Sequence, residues 1–80
     1  MAKPKKYSVV LSGHATSITL EPEFWEILQK IAREKGASVA SLISYVDQER
    51  LQEADPANLS SALRVYILQT VLLFPSKLSL

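Results

Sequence analysis

Eighty residues, a formal net charge of +1 and no cysteine limit this chain to one small domain without disulfides or thiolate metal sites. A single histidine excludes a multi-histidine metal centre within one chain, so no metal and no cofactor are expected. The net charge is too small for a nonspecific nucleic-acid binder. Because 48% of the residues are apolar and so short a chain buries a modest share of its surface, the composition favours an obligate oligomer.

The first residues place three lysines around Pro4 and predict a flexible basic arm over residues 1–6. Lys5 and Lys6 in this arm are candidates for contacts with DNA phosphates if the neighbouring element meets DNA, and the alternative is an ordinary solvated terminus. The apolar segment that follows is too short for a signal peptide, and the apolar run over residues 65–74 is too short to cross a bilayer. We therefore expect a cytoplasmic protein that has no contact with a membrane.

Two segments before residue 21 are typical of β-strands. Residues 7–11 are rich in β-branched and aromatic side chains, and residues 15–20 follow a pattern with a period of two. Gly13 between them indicates a turn or a bulge, because glycine adopts positive φ at little cost, and His14 is interpreted as a turn residue whose imidazole caps a backbone group. If the first segment folds back across Gly13 onto the second, a dimer would hold four strands; otherwise the first segment lies outside the sheet.

The second segment divides its side chains between two faces, because successive side chains of a strand point to opposite sides. Ile18 and Leu20 are expected in the core. The outward-facing side chains are small: Ala15, Ser17 and Thr19. Since neither the backbone groups of this strand nor its apolar face has an evident partner in a single chain, we expect the strand to pair with a second copy.

Helical signals begin at Pro22, which suits the first position of a helix because its missing N–H would be unpaired there. Apolar residues then recur at helical spacing until Gly36, which ends this helix in a left-handed conformation. Ser38 is a good N-cap for a second amphipathic helix that fades by Ala54. Trp25 lies off the apolar stripe of the first helix and is expected to cover a dimer edge or to pack on a neighbouring element.

A third helix is predicted after a connection at residues 55–57, with Asn58 or Ser60 as its N-cap and Pro75 as its stop. Its apolar face is broad. Three residues extend that face almost all round the helix: Val65, Leu68 and Leu72. We therefore expect this helix to be buried or to pair with another element.

Catalytic constellations are scarce in this chain. There is no cysteine nucleophile, and no motif such as a nucleophile elbow connects His14 with a serine. Gly13 and Gly36 are the only glycines, which excludes a phosphate-binding loop and a dinucleotide-binding fingerprint. An enzyme is not expected.

Several sequence blocks together carry a family resemblance: GHATSITLE over residues 13–21, FW at residues 24–25, GASVASL over residues 36–42 and NLSSALRV over residues 58–65. With these blocks the chain over residues 7–68 resembles the ribbon-helix-helix fold of Arc/MetJ-type repressors, and more narrowly a group of short bacterial ribbon-helix-helix proteins. The resemblance implies a mainly α fold with a short β ribbon, forming an intertwined homodimer. An extra N-terminal strand and a third C-terminal helix are additions to the minimal fold.

The resemblance implies that one strand of each chain pairs antiparallel into a two-stranded ribbon, which enters the major groove of double-stranded DNA. It implies that Ala15, Ser17 and Thr19 face the bases, and that Ser38 and Val39 at the start of the second helix bind a phosphate. The inward side of the ribbon and the first two helices would share a dimer core: Ile18, Leu20, Phe24, Ile27, Leu28, Ile31, Leu42, Ile43 and Val46.

The chain is thereby divided into a basic flexible arm over residues 1–6, a ribbon-helix-helix domain over residues 7–54, a C-terminal helix packing on the dimer over residues 55–75, and a tail over residues 76–80. The implied function is that of a sequence-specific, DNA-binding transcriptional regulator of the dimeric repressor type. The alternative is a protein-interaction module, such as an antitoxin-like subunit or a dimeric adaptor, whose protein partner binds the apolar third helix.

Overall fold

The computed structural model describes residues 3–74 as a two-stranded antiparallel sheet followed by three helices. The elements follow in the order β1 (Lys5–Leu11), β2 (His14–Leu20), α1 (Pro22–Glu34), α2 (Val39–Leu51) and α3 (Leu59–Leu73). This architecture confirms the predicted, mainly helical fold with an extra N-terminal strand and a third C-terminal helix. No helix within this part of the chain is long and apolar enough to cross a membrane. The expected stop at Pro75 and the tail over residues 76–80 lie outside the described residues.

The two strands form a hairpin around Ser12 and Gly13, which have φ angles of 51° and 80°. Two successive positive φ angles are typical of the tight two-residue turns that join antiparallel strands. β2 pairs along its whole length, and the register extends from this turn to Lys5 opposite Leu20. The expectation that this strand lacks a partner in a single chain is therefore wrong, because β1 folds back and supplies one.

Two further details of the hairpin differ from what the sequence predicts. β1 begins at Lys5, and the backbones of Lys5 and Lys6 pair with Leu20 and Thr19. These two lysines therefore belong to the sheet and not to a flexible arm. His14 opens β2 and is exposed, and its imidazole makes no hydrogen bond with the residues that the structure describes. It is a strand residue and not the predicted backbone cap.

The end of α1 follows from its glycine. Gly36 has a φ of 65°, the left-handed conformation that was expected there. Its N–H donates to the carbonyl of Arg33 at 3.1 Å, and the N–H of Ala37 donates to the carbonyl of Ala32 at 3.0 Å. These two bonds are those of a Schellman motif, which satisfies carbonyl groups that a helix end otherwise leaves unpaired.

Each of the other two helices has a side-chain cap at its N-terminus. Ser38 Oγ accepts a hydrogen bond from the N–H of Ser41 at 3.0 Å, and Asn58 Oδ1 accepts one from the N–H of Ser61 at 2.9 Å. Of the two caps predicted for α3, Asn58 is thus the one in use. Ser60 is free to contact another element.

The apolar core of the described residues closes within one chain. Most residues that were expected in a dimer core are buried here: Ile18, Leu20, Leu28, Ile31, Leu42, Ile43 and Val46. Phe24 and Ile27 are half-buried and pack against them. The core is completed by Ala32 of α1, Leu63 and Ile67 of α3, and Leu11 of β1. Burial of these side chains therefore does not by itself require a second chain, because α3 supplies an apolar face.

Trp25 packs on the neighbouring hairpin, which is one of the two roles predicted for it. Its ring stacks on that of Tyr7 in β1, with centroids 4.1 Å apart and planes inclined by 5°. Aromatic pairs of this kind stabilise a fold by about 0.5–1.5 kcal/mol beyond the burial of their area. The stack fixes α1 against the sheet.

Candidate nucleic-acid interface

The outer face of the hairpin is the side of the sheet that points away from the core. Because directly opposite residues of two antiparallel strands lie on the same face, the register defines this face. It consists of three cross-strand pairs: Lys6 with Thr19, Ser8 with Ser17, and Val10 with Ala15. All six residues are exposed. The outer face therefore carries one positive charge, three hydroxyl groups and two apolar side chains, and it has no carboxylate.

The structure brings the three residues predicted to face bases onto this surface. Ala15, Ser17 and Thr19 lie along β2, and β1 adds a second row that sequence reasoning missed. Lys6 was predicted as a phosphate contact within an arm, and Ser8 was not predicted at all. The β-branched and aromatic content of residues 7–11 predicts a strand, but only the pairing of β1 with β2 decides which of its side chains face outward.

The two candidate lysines lie on opposite sides of the sheet. Lys6 is opposite Thr19 on the outer face, whereas Lys5 is opposite Leu20, whose side chain is buried beneath the sheet. Both lysines are exposed, because Lys5 stands at the end of the strand. A molecule that lies on the outer face would therefore meet Lys6 before Lys5.

The first turns of α3 hold the end of β2 in place. The N–H of Thr19 donates to Ser60 Oγ at 3.0 Å, and Arg64 Nη2 donates to the carbonyl of Thr19 at 3.4 Å. The same arginine binds Glu21 through both of its carboxylate oxygens, with Nε to Oε1 at 3.0 Å and Nη2 to Oε2 at 3.3 Å. We call these four residues the α3 clamp: Thr19, Glu21, Ser60 and Arg64. A two-point arginine–carboxylate contact fixes orientation as well as distance.

The α3 clamp is expected to make stability depend on pH. Hydrogen bonds from Arg64, and to a lesser extent a backbone hydrogen bond, lower the pKa of the Glu21 carboxyl below its usual value. A carboxyl with a lower pKa in the folded state stabilises the fold above its unfolded-state pKa, and this contribution is lost as the pH falls through the folded-state pKa. Arg64→Met should therefore destabilise the protein at neutral pH and flatten the decline of its thermal midpoint in acid.

Thermal melts at about pH 7 and about pH 3 measure this difference. Arg33→Met, which removes an exposed arginine of α1, is the control and should keep the wild-type dependence on pH. An Arg64→Met variant that loses as much stability in acid as the wild type would show that the ion pair is not the cause.

The start of α2 is the predicted phosphate site. Ser38 caps this helix through the N–H of Ser41, so the N–H groups of Val39 and Ala40 have no acceptor among residues 3–74. The first turn contains no acidic side chain, which leaves the positive end of the helix dipole without a counter-charge there. Ser38 is exposed and Val39 is half-buried, so backbone groups at this position are accessible to an anion.

Comparisons with known proteins relate this architecture to a family and to a solved structure. A family model described as the ribbon-helix-helix domain matches residues 4–71. The chain is also similar to a solved structure, that of an uncharacterized protein from Bordetella pertussis Tohama I, with a TM-score of 0.76 and 36% sequence identity. That match covers 91% of this chain and 59% of the Bordetella chain. No match was found among the curated proteins. The chain belongs to the ribbon-helix-helix domain family.

Proposed function

We propose that this chain is a bacterial, cytoplasmic transcription regulator of the repressor type, which acts as a homodimer and binds double-stranded DNA by inserting an antiparallel β ribbon into the major groove. Proteins with this domain are commonly DNA-binding transcription regulators that form dimers, and the fold is not typically enzymatic. The observation that carries the proposal is the outer face of the hairpin, which is exposed at all six positions and combines a lysine with hydroxyl groups and no acidic side chain.

The chemistry of the outer face suits the major groove. The major groove of B-DNA admits a two-stranded ribbon, and each base pair presents donors, acceptors or a thymine methyl group there. Ser8, Ser17 and Thr19 can donate or accept hydrogen bonds, and the methyl group of Ala15 can contact a thymine methyl. Lys6 is the only charged side chain of this face, and it serves as a phosphate contact. Because arginine, asparagine and glutamine are absent from this face, discrimination between bases should be modest.

Backbone contacts would add affinity without adding sequence preference. The exposed N–H groups at the start of α2, next to Ser38 and Val39, suit a phosphate oxygen, and lysines reach phosphates as point charges. Such contacts release counterions from DNA, so binding should weaken steeply as salt rises. With a net charge of only +1, the chain depends on a few well-placed contacts of this kind.

The two lysines of β1 provide a matched test of the proposed surface. Lys6→Ala is expected to weaken binding on all DNA sequences alike and to reduce the slope of log affinity against log salt by about 1, as the loss of one phosphate contact does. Lys5→Ala removes the same charge from the other side of the sheet and should change the slope much less.

The measurement starts with a selection from random duplex DNA at two salt concentrations, followed by fluorescence anisotropy on the selected duplex. Equal effects of Lys5→Ala and Lys6→Ala would show that the outer face does not lie against DNA. If no duplex is retained even at low salt, the chain is not a DNA-binding regulator.

A second candidate function is a protein-interaction module, either an antitoxin-like subunit or a dimeric adaptor. The observation that favours it is an apolar side of α3 that the described residues leave uncovered: Val65, Leu68 and Leu72 are exposed. Arg64 is the only charged residue of this helix. Under this alternative, Leu68→Lys should abolish recovery of a stoichiometric protein partner while Gln29→Lys, on the exposed side of α1, should not. Retention of duplex DNA at low salt by the wild type, with no such partner recovered, would favour the regulator instead.

A further inference from the structure

We infer that a second copy of this chain joins the sheet through the outer edge of β1, so that two β1 strands form the centre of a continuous four-stranded sheet. The inference rests on the homodimer of the proposed function and names its interface. It follows from the backbone groups that each edge of the hairpin has available.

The direction of these groups follows from the pairing. In an antiparallel pair, residues alternate between those that exchange both backbone hydrogen bonds and those that exchange none. The N–H and the carbonyl of Thr19 both bond to α3, so they point away from β1. The same outward direction holds two and four residues earlier, at Ser17 and Ala15. On β1 the outward groups belong to the residues opposite these: Lys6, Ser8 and Val10.

The outer edge of β2 is partly occupied. Ser60 and Arg64 already bond to both backbone groups of Thr19, and α3 lies beside them. A strand added at this edge would have to displace the α3 clamp, including the contact between Arg64 and Glu21. Only Ala15 and Ser17 remain accessible, which is too few residues for a stable pairing of strands.

The outer edge of β1 is open. The backbone groups of Lys6, Ser8 and Val10 have no hydrogen-bond partner among residues 3–74. An edge strand of this kind is a template for another strand, and side chains decide which pairing is allowed. Three consecutive outward residues provide six groups, so this edge can form the longer ladder.

The register that uses all these groups is centred on Ser8. It sets Ser8 of one copy opposite Ser8 of the other, and Lys6 opposite Val10, so that the two lysines never face each other. Val10 is 63% exposed in the single chain, and the aliphatic stem of the opposing Lys6 can cover it. On the inner face, Tyr7 comes to lie opposite Val9, and both are half-buried before pairing.

This interface changes which strand is central to DNA binding. The two β1 strands form the two-stranded ribbon on the dimer axis, with Lys6 and Ser8 of each copy on its outer face. Thr19 and Ser17 then lie on the flanking strands. The two Lys6 side chains then lie on the central strands, which are the part of the sheet that would enter the groove.

Single cysteines test this interface, because the chain contains no cysteine of its own. Ser8 and Ser17 are directly opposite each other in the hairpin and both are exposed, so they are matched sites. In the inferred dimer the two Ser8 Cα atoms are about 5.5 Å apart, within the range that a disulfide bridges, whereas the two Ser17 Cα atoms are separated by three strand spacings, or about 14 Å. Mild oxidation should convert Ser8→Cys to a covalent dimer and leave Ser17→Cys uncoupled.

Covalent coupling of Ser17→Cys without Ser8→Cys would overturn the inference in favour of the β2 edge. Dimer mass in sedimentation with no coupling of either variant would overturn it in favour of another surface. Ser8→Pro is the second variant: it removes an N–H that faces the other copy but none of the bonds within the hairpin, and it should shift sedimentation towards the monomer. DNA binding is measured separately. Its absence in the wild-type chain, with Ser8→Cys still forming the covalent dimer, would count against the regulator function and leave the interface standing.

Discussion

Replacing Ile18 by lysine is expected to unfold the protein, whereas replacing the neighbouring Ser17 by lysine should leave its stability nearly unchanged. Ile18 is 1% exposed and lies beneath the sheet, while Ser17 is exposed on the outer face. An unpaired charge buried in an apolar core costs several kcal/mol, which is a large part of the roughly 5–15 kcal/mol that stabilises a typical domain. The two positions are adjacent in sequence and differ only in the face of β2 that they occupy.

Urea unfolding followed by circular dichroism measures both variants. Ser17→Lys should keep the wild-type midpoint, and it is the control for any general effect of an added lysine on the strand. Unfolding by Ser17→Lys with a stable Ile18→Lys variant would mean that the register of β2 is displaced by one residue. The outer face would then consist of other side chains.

A second large effect is expected from Leu63→Ala in α3. Leu63 is fully buried, at 0% exposure, among side chains from the sheet and the first two helices. Truncation of a buried leucine to alanine typically lowers the free energy of unfolding by about 2–5 kcal/mol, through lost burial and the cavity that remains. Because a typical domain is stabilised by only about 5–15 kcal/mol, this loss should lower the unfolding midpoint markedly.

Leu68→Ala is the matched control, because Leu68 is the same residue type in the same helix but is 55% exposed. Surface substitutions usually change stability by no more than about 0.5 kcal/mol, so this variant should unfold with nearly the wild-type midpoint. The comparison is made at low protein concentration, where any pairing of copies contributes least. A Leu68→Ala variant as unstable as Leu63→Ala would show that α3 packs through a different face.

Several features of the fold could be predicted from the sequence because local residue chemistry controls them. Pro22 at the start of α1 removes an N–H that would be unpaired there, and the left-handed Gly36 and the Ser38 cap of α2 satisfy backbone groups within a few residues. The alternation of residues 15–20 predicts which side chains of β2 are buried, since the pleat has a period of two. Buried Ile18 and exposed Thr19 agree with it.

The tertiary structure decides the features that depend on distant contacts. The contact from Thr19 to Ser60 spans 41 positions in the sequence, and that from Glu21 to Arg64 spans 43, so no local pattern could indicate them. The pairing of β1 with β2 likewise determines that Lys6 and not Lys5 belongs to the outer face. The closure of the core within one chain depends on where α3 packs. Hydrophobic periodicity shows that a helix has an apolar face, but the same face can be buried by its own chain or by a second copy, and only the packing of the folded chain distinguishes the two.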